Sequence, residues 1–254
     1  MSTARHPGGK ALAAVAVGLL ALTACGEDET DAVEGDDSPP AGSDRLIEAA
    51  EAGLDRAGSF GFGSAGFATE DQLETTRAEA ADMLPGTSEE DIRPAECAEP
   101  IANVDFQPIM LEEDAARADF VSETFTGTGS LEIATLSDDQ DRQLVEDHIG
   151  HVTELVESCG DMEITLEDMD YRYEIGPVEL ESLPAETSVG YTRTQRMGED
   201  GEDGTIAAQM LFTQSGDDVV MVSFIGEEAA NSEEFTQIGE AITTEIVSAL
   251  DEEQ

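Results

Sequence analysis

Apolar positions recur along this chain with three different spacings, and each predicts a different kind of element. Between residues 137 and 158 they return every three or four positions, so that Leu144, Val145, Ile149, Val152, Leu155, Val156 and then Cys159 form one stripe of a helix. Ser137 and Gln140, three residues apart, have the arrangement of a capping box at its start. A second amphipathic helix opens at Asn231 and Glu234 and carries Phe235, Ile238, Ile242, Ile246 and Leu250 on one side. Two shorter helices are expected upstream. One is capped by Ser43 or Asp44, buries Leu46, Ile47, Ala50 and Leu54, and ends at Gly58; the other opens at Thr69, carries Leu73, Ala80 and Leu84, and stops at Pro85-Gly86.

Elsewhere the period is two, the mark of strands. Residues 117–126 and 129–136 alternate and can pair through Thr126-Gly127-Thr128-Gly129. Met162, Ile164 and Leu166, then Met169, Tyr171, Tyr173 and Ile175, give strand character broken near Glu167-Asp168, and Val189, Tyr191 and Arg193 give another strand. Residues 205–214 and 218–225 form a hairpin around Ser215-Gly216-Asp217. Strands in succession, with helices before, within and after them, predict a single α+β domain over residues 44–254. Its mainly antiparallel sheet is covered by helices on one face, with one core helix inserted between strands and an amphipathic helix at the C-terminus. The glycine-rich residues 60–67 read as an irregular loop whose phenylalanines fold onto the core. Gly61, Gly63 and Gly66 have the spacing of a dinucleotide loop, but no hydrophobic strand precedes them and no βαβ pattern follows.

The third spacing is an uninterrupted run. Residues 11–22 hold no polar side chain, yet this is short of the ~20 residues a helix needs to cross a bilayer. With Arg5 and Lys10 before it, the run has the form of a signal h-region. Leu22-Thr23-Ala24-Cys25 closes it and resembles the lipobox of bacterial lipoproteins. That resemblance implies diacylglyceryl transfer to the Cys25 thiol, cleavage before Cys25, a fatty-acid (palmitate) anchor, and attachment to the cell membrane on its extracytoplasmic face. Two or more acyl chains suffice for stable anchoring, at about 0.8 kcal/mol per buried methylene. Residues 25–43 are acidic and rich in Pro, Gly and Ser, and read as a disordered tether reaching on the order of 25 Å.

Charge narrows the partners. The chain carries 59 acidic and 11 basic residues, a formal net charge of −48, and Lys10 is its only lysine. No basic stripe exists to displace phosphate counterions, so nucleic acid is excluded as a partner. Self-repulsion on this scale is screened far better at 1 M salt, where the Debye length is about 3 Å, and stability is expected to rise with salt. Three cysteines are present. With Cys25 assigned to lipid, Cys97 and Cys159 remain as an even pair in an oxidising compartment and are expected to form a disulfide, the alternative being two buried thiols.

Pro94-Ala95-Glu96-Cys97, the helix closing at Cys159, the hairpin strand Asp218-Val219-Val220-Met221-Val222 and the helix over residues 231–250 occur here in a telling order. Across roughly residues 69–250 this order resembles the extracellular sensor domain of PknH-type receptor serine/threonine kinases, a domain that also occurs in free-standing actinobacterial lipoproteins. The resemblance implies a sensor or ligand-binding module outside the membrane, with a cleft on its sheet. The family commonly has a second disulfide in the late strands; Met210 and Ile225 stand in that region here, so one bridge is expected.

Candidate chemistry is sparse. His148 and His151 share a helix face as His-x-x-His, the pattern of a weak metal site, but His148 falls at the centre of the apolar stripe and His151 at its flank, which favours packing. The loop Gly198-Glu199-Asp200-Gly201-Glu202-Asp203-Gly204 crowds four carboxylates without the ligand spacing of a calcium hand. No Gly-x-Ser-x-Gly occurs, and nothing in the chain calls for a cofactor. The expected function is a non-catalytic binding domain of an envelope lipoprotein, with an unidentified small ligand or envelope protein as partner. The alternatives are an envelope lipid or glycolipid carrier, for which an apolar cavity of several hundred Å³ would speak, and a metal-dependent enzyme at the two histidines.

Overall fold

The structure, a computed structural model, describes residues 38–83, 91–104, 106–111, 114–122, 128–166, 169–184, 186–198 and 204–252. The signal segment, Cys25 and most of the tether lie outside these residues, as do the carboxylates at 199–203, the turn at 123–127 and the break at 167–168.

Among the described residues, nine strands form one antiparallel sheet. In chain order they are β1 (Gly63–Phe67), β2 (Ile92–Arg93), β3 (Ala115–Val121), β4 (Thr128–Thr135), β5 (Asp161–Leu166), β6 (Met169–Pro177), β7 (Ser188–Met197), β8 (Gly204–Ser215) and β9 (Asp218–Ile225). Their spatial order is β1-β3-β4-β9-β8-β7-β6-β5-β2, so β5 to β9 form a meander whose last strand returns beside β4. Gly216, at φ +60°, supplies the left-handed position of the β8–β9 turn.

Among the described residues, six α-helices accompany the sheet. They are α1 (Asp44–Gly58), α2 (Glu70–Met83), α3 (Ala98–Ile101), α4 (Asp139–Ser158), α5 (Glu227–Ala230) and α6 (Glu233–Glu252). They lie on both faces, not on one as the sequence pattern suggested. On one face α1 and α6 pack over the core of Phe62, Phe120, Leu131, Ile133, Val222 and Phe224. Gly53 brings the two helices together, since a Cβ there would lie 2.7 Å from Ile246. On the other face α4 buries Val145, His148, Val152 and Leu155 against Tyr171, Tyr191 and Phe212. The central strands explain the difference: Leu211 of β8 and Val220, Val222 and Phe224 of β9 face one side, while Met210 and Phe212 of β8 and Val219 and Met221 of β9 face the other, so both sides need cover.

Three local expectations shift. The cap of α4 is Asp138, which accepts hydrogen bonds from the N–H groups of Gln140 and Asp141, while Ser137 donates to the Asp141 carboxylate. The capping chemistry is thus displaced by one residue. Residues 63–67, expected as loop, form the edge strand β1, with an irregularity between Ser64 and Gly66. Its glycines disguised the strand, while Phe62 does join the core. The terminal helix, expected to open at Asn231, begins at Glu233 as α6, and a separate short helix, α5, precedes it.

Candidate functional site

Among the described residues, the packing leaves one end of the second face uncovered. There α2 stands beside strands β3, β4, β9 and β8 with a trough of about 770 Å³ between them. The start of α2 is fixed by a reciprocal cap: the Thr69 N–H donates to Gln72 Oε1 at 2.8 Å, and the Gln72 N–H to Thr69 Oγ1 at 3.4 Å. Farther along, Arg77 Nε donates to the Ile109 carbonyl at 2.6 Å and ties the helix to the Pro108–Met110 turn that rests on β4. Upstream chain joins the same wall: the Ala41 N–H donates to the Ala68 carbonyl at 2.9 Å, and Ala41, within the residues assigned to the tether, is buried.

Phe67, Leu73, Val121, Ile206 and Ile225 supply apolar lining, and Thr75 and Thr76 line the α2 side. The floor is polar. Arg117 and Asp119 project from β3 into the trough, and Ser130 lies beside them on β4 with its hydroxyl 2.9 Å from that of Ser223. Arg117 Nε donates to Asp119 Oδ1 at 3.1 Å and Nη1 to Glu132 Oε1 at 3.4 Å, while Nη2 makes no hydrogen bond among the described residues.

Glu132 is the unusual group. It is 1% exposed, and its Oε2 has no hydrogen-bond partner among the described residues. Burial pushes its carboxyl up to about 7, against the opposing pull of Arg117 and of the Ile109 backbone N–H. For Arg117, burial alone would lower the pKa; the charges of Glu132 and Asp119 and the hydrogen bond to Asp119 outweigh it and hold the guanidinium above its ordinary value. Glu132 contributes that support only where it is ionised, above about pH 7. In more acidic solution Asp119 alone is the counterion.

The other sequence candidates lie elsewhere. The sulfurs of Cys97 and Cys159 are joined, linking the turn before α3 to the end of α4 beneath the far half of the sheet. His148 is buried among the rings of Phe106, Phe212 and Tyr191, with Nδ1 3.4 Å from the Asn103 carbonyl oxygen, and His151 is half-buried at the flank. Among the described residues no three His, Cys, Asp or Glu side chains come together as a metal site. A second, polar depression of about 580 Å³ lies on the opposite face around Arg93, Arg172 and Arg196. Arg172 pairs there with Asp161 and Arg196 with Glu174, each at 2.6 Å.

A cleft on the sheet was expected from the resemblance, but its place beside α2 and its lining residues were not read from the sequence. Its signal was present in β3, where Ala116, Ala118 and Phe120 alternate with Arg117 and Asp119. No helix among the described residues is long and apolar enough to cross a membrane.

No protein-family model matches the chain, and no curated protein matches its sequence. Among solved structures it is similar to an Rv0999 ortholog from Mycobacterium smegmatis, at 16% identity and a TM-score of 0.40 over 63% of this chain and 75% of that one. It is also similar to the extracellular domain of PknH from Mycobacterium tuberculosis, at 11% identity and a TM-score of 0.46, over 84% of this chain and 98% of that domain.

Proposed function

We propose that this protein is an envelope lipoprotein, anchored through Cys25, whose α+β domain binds a ligand or partner in the trough beside α2 and performs no chemistry on it. The observation that carries the reading is the trough. Its volume of about 770 Å³, its apolar lining and the few polar groups converging on its floor are the attributes of small-molecule sites. A sensor-like role is what the resemblance of the element order implies, and the signal segment and lipobox support an extracytoplasmic location.

Extraction of lipids and metabolites from protein purified out of its native envelope tests the binding claim. Wild type should carry a stoichiometric compound that Thr76→Trp, which fills the α2 side of the trough, does not carry. The same compound in both proteins would refute the site. Intact mass tests the anchor: the mature chain should begin at Cys25 with fatty acids attached, and an unprocessed Met1 or an unlipidated terminus would overturn it.

The apolar lining also favours a second reading, a carrier of envelope lipid. A carrier should move labelled lipid between vesicle populations at a rate proportional to protein concentration, whereas a binding module should hold its ligand without accelerating exchange.

A further inference from the structure

The charges facing the trough constrain what can occupy it. β3 contributes Arg117 and Asp119, and Glu227 at the start of α5 adds a carboxylate. Glu132 on β4 lies behind Arg117. The α2 residues that line the trough, Gln72, Leu73, Thr75 and Thr76, are uncharged, and so are Thr205, Ile206 and Ala207 of β8. Nearby, Arg77 of α2 is already paired with Glu70. One guanidinium therefore stands among three carboxylates. Two of its nitrogens are committed to Asp119 and Glu132, so its charge is met before any ligand arrives.

Asp119 is different, because its side chain is 43% exposed and only Oδ1 accepts from Arg117. Its second oxygen accepts no hydrogen bond among the described residues and can meet a ligand at the trough floor. The surrounding field points the same way, since a chain with a net charge of −48 repels an anion and draws in a cation. We infer that the trough takes a cationic amphiphile, with its apolar body along Phe67, Leu73, Val121 and Ile225 and its ammonium head beside Asp119. The inference rests on the trough being the binding site and adds the chemical class of the occupant.

The test uses the full lipidated chain in nanodiscs, with empty nanodiscs as reference, titrated calorimetrically at 0.15 M salt. Three water-soluble probes share an eight-carbon chain: octyltrimethylammonium, octyl glucoside and octanoate. The ammonium should bind saturably, several-fold more tightly than the glucoside, and octanoate most weakly. Thr76→Trp should abolish saturable binding of the ammonium, which separates the trough from general attraction to an acidic surface. Asp119→Asn should weaken the ammonium roughly threefold, the scale of a partly exposed ion pair, leave the glucoside unchanged, and strengthen octanoate by releasing Arg117. Vesicles of a diacyl trimethylammonium lipid ask whether the head comes from a bilayer or from solution; binding from either source supports the inference. Equal affinity for all three probes, or octanoate binding tightest, would overturn the cationic head while leaving the trough in place. Ammonium binding that survives Thr76→Trp overturns the inference, and no saturable binding of any probe removes both it and the site.

Discussion

Strands β3 and β4 have two faces built to different ends. On one, Phe62, Phe120, Phe224 and Phe235 interlock edge to face, with centroid separations of 5.3 Å for Phe62–Phe120, 5.6 Å for Phe120–Phe224 and 5.1 Å for Phe224–Phe235. On the other, a residue away along the same strands, stand Arg117, Asp119, Ser130 and Glu132, partly open to the trough. The packed face buries apolar area and sets stability. The open face retains polar groups that cost stability, the common signature of a site kept for binding. Substitutions on the two faces should therefore separate cleanly.

The largest effect belongs to the packed face. Phe224→Ala removes a ring that is 0% exposed and touches three other rings, and should cost about 3–5 kcal/mol in urea unfolding. A loss below about 1 kcal/mol would end the distinction. Next comes the far half of the trough-side face, where α4 is fastened covalently. Replacing Cys97 and Cys159 by Ser opens a loop with a sequence separation of 62 and should cost about 4 kcal/mol on the chain-entropy account, with no change in the trough. A matched loss of ligand binding in the folded double variant would show the two regions to be coupled.

Glu132 tests the open face through pH. Its folded pKa, about 7, lies above the ordinary 4.5, so between these values the folded chain binds more protons than the unfolded one. Stability contributed by this group is greatest in acid and falls as pH rises through that window. That interval corresponds to about 3 kcal/mol. Glu132→Gln should be more stable than wild type at pH 8 by up to that amount and should match it near pH 4.5. Parallel profiles for the two proteins would contradict the assignment.

The packed face was the more legible in sequence, and the reason is physical. The apolar runs in residues 205–225, on either side of the turn Ser215-Gly216-Asp217, and the 3.6-residue stripe on α6 report burial directly, so the strands, the helix and much of their shared core follow from the pattern. The stripe of α4 likewise placed His148 inside and His151 at the edge, although Leu144, counted in that stripe, is 43% exposed. A trough is defined by what does not pack, and spacing says nothing of that. Arg117 and Asp119 look like any solvent-facing positions of a strand until α2 is set beside them. Glu132 could not be recognised as buried because the Pro108–Met110 turn that packs on β4 has no periodic signature. Strand β1 escaped because its glycines carry no side chains to alternate.

The smallest effect lies at the trough floor and measures how far its polar groups act as a pair. Ser130 and Ser223 face each other across β4 and β9 with hydroxyls 2.9 Å apart, and both residues are less than 10% exposed. Ser130→Ala leaves the Ser223 hydroxyl without that partner and should cost about 1 kcal/mol, the penalty for one unsatisfied buried group. Removing both hydroxyls in Ser130→Ala/Ser223→Ala should recover most of that loss, because no polar atom is then stranded. A double variant as unstable as the sum of the singles would mean that each hydroxyl acts separately, and that the floor is a set of independent polar contacts instead of a paired surface between two strands.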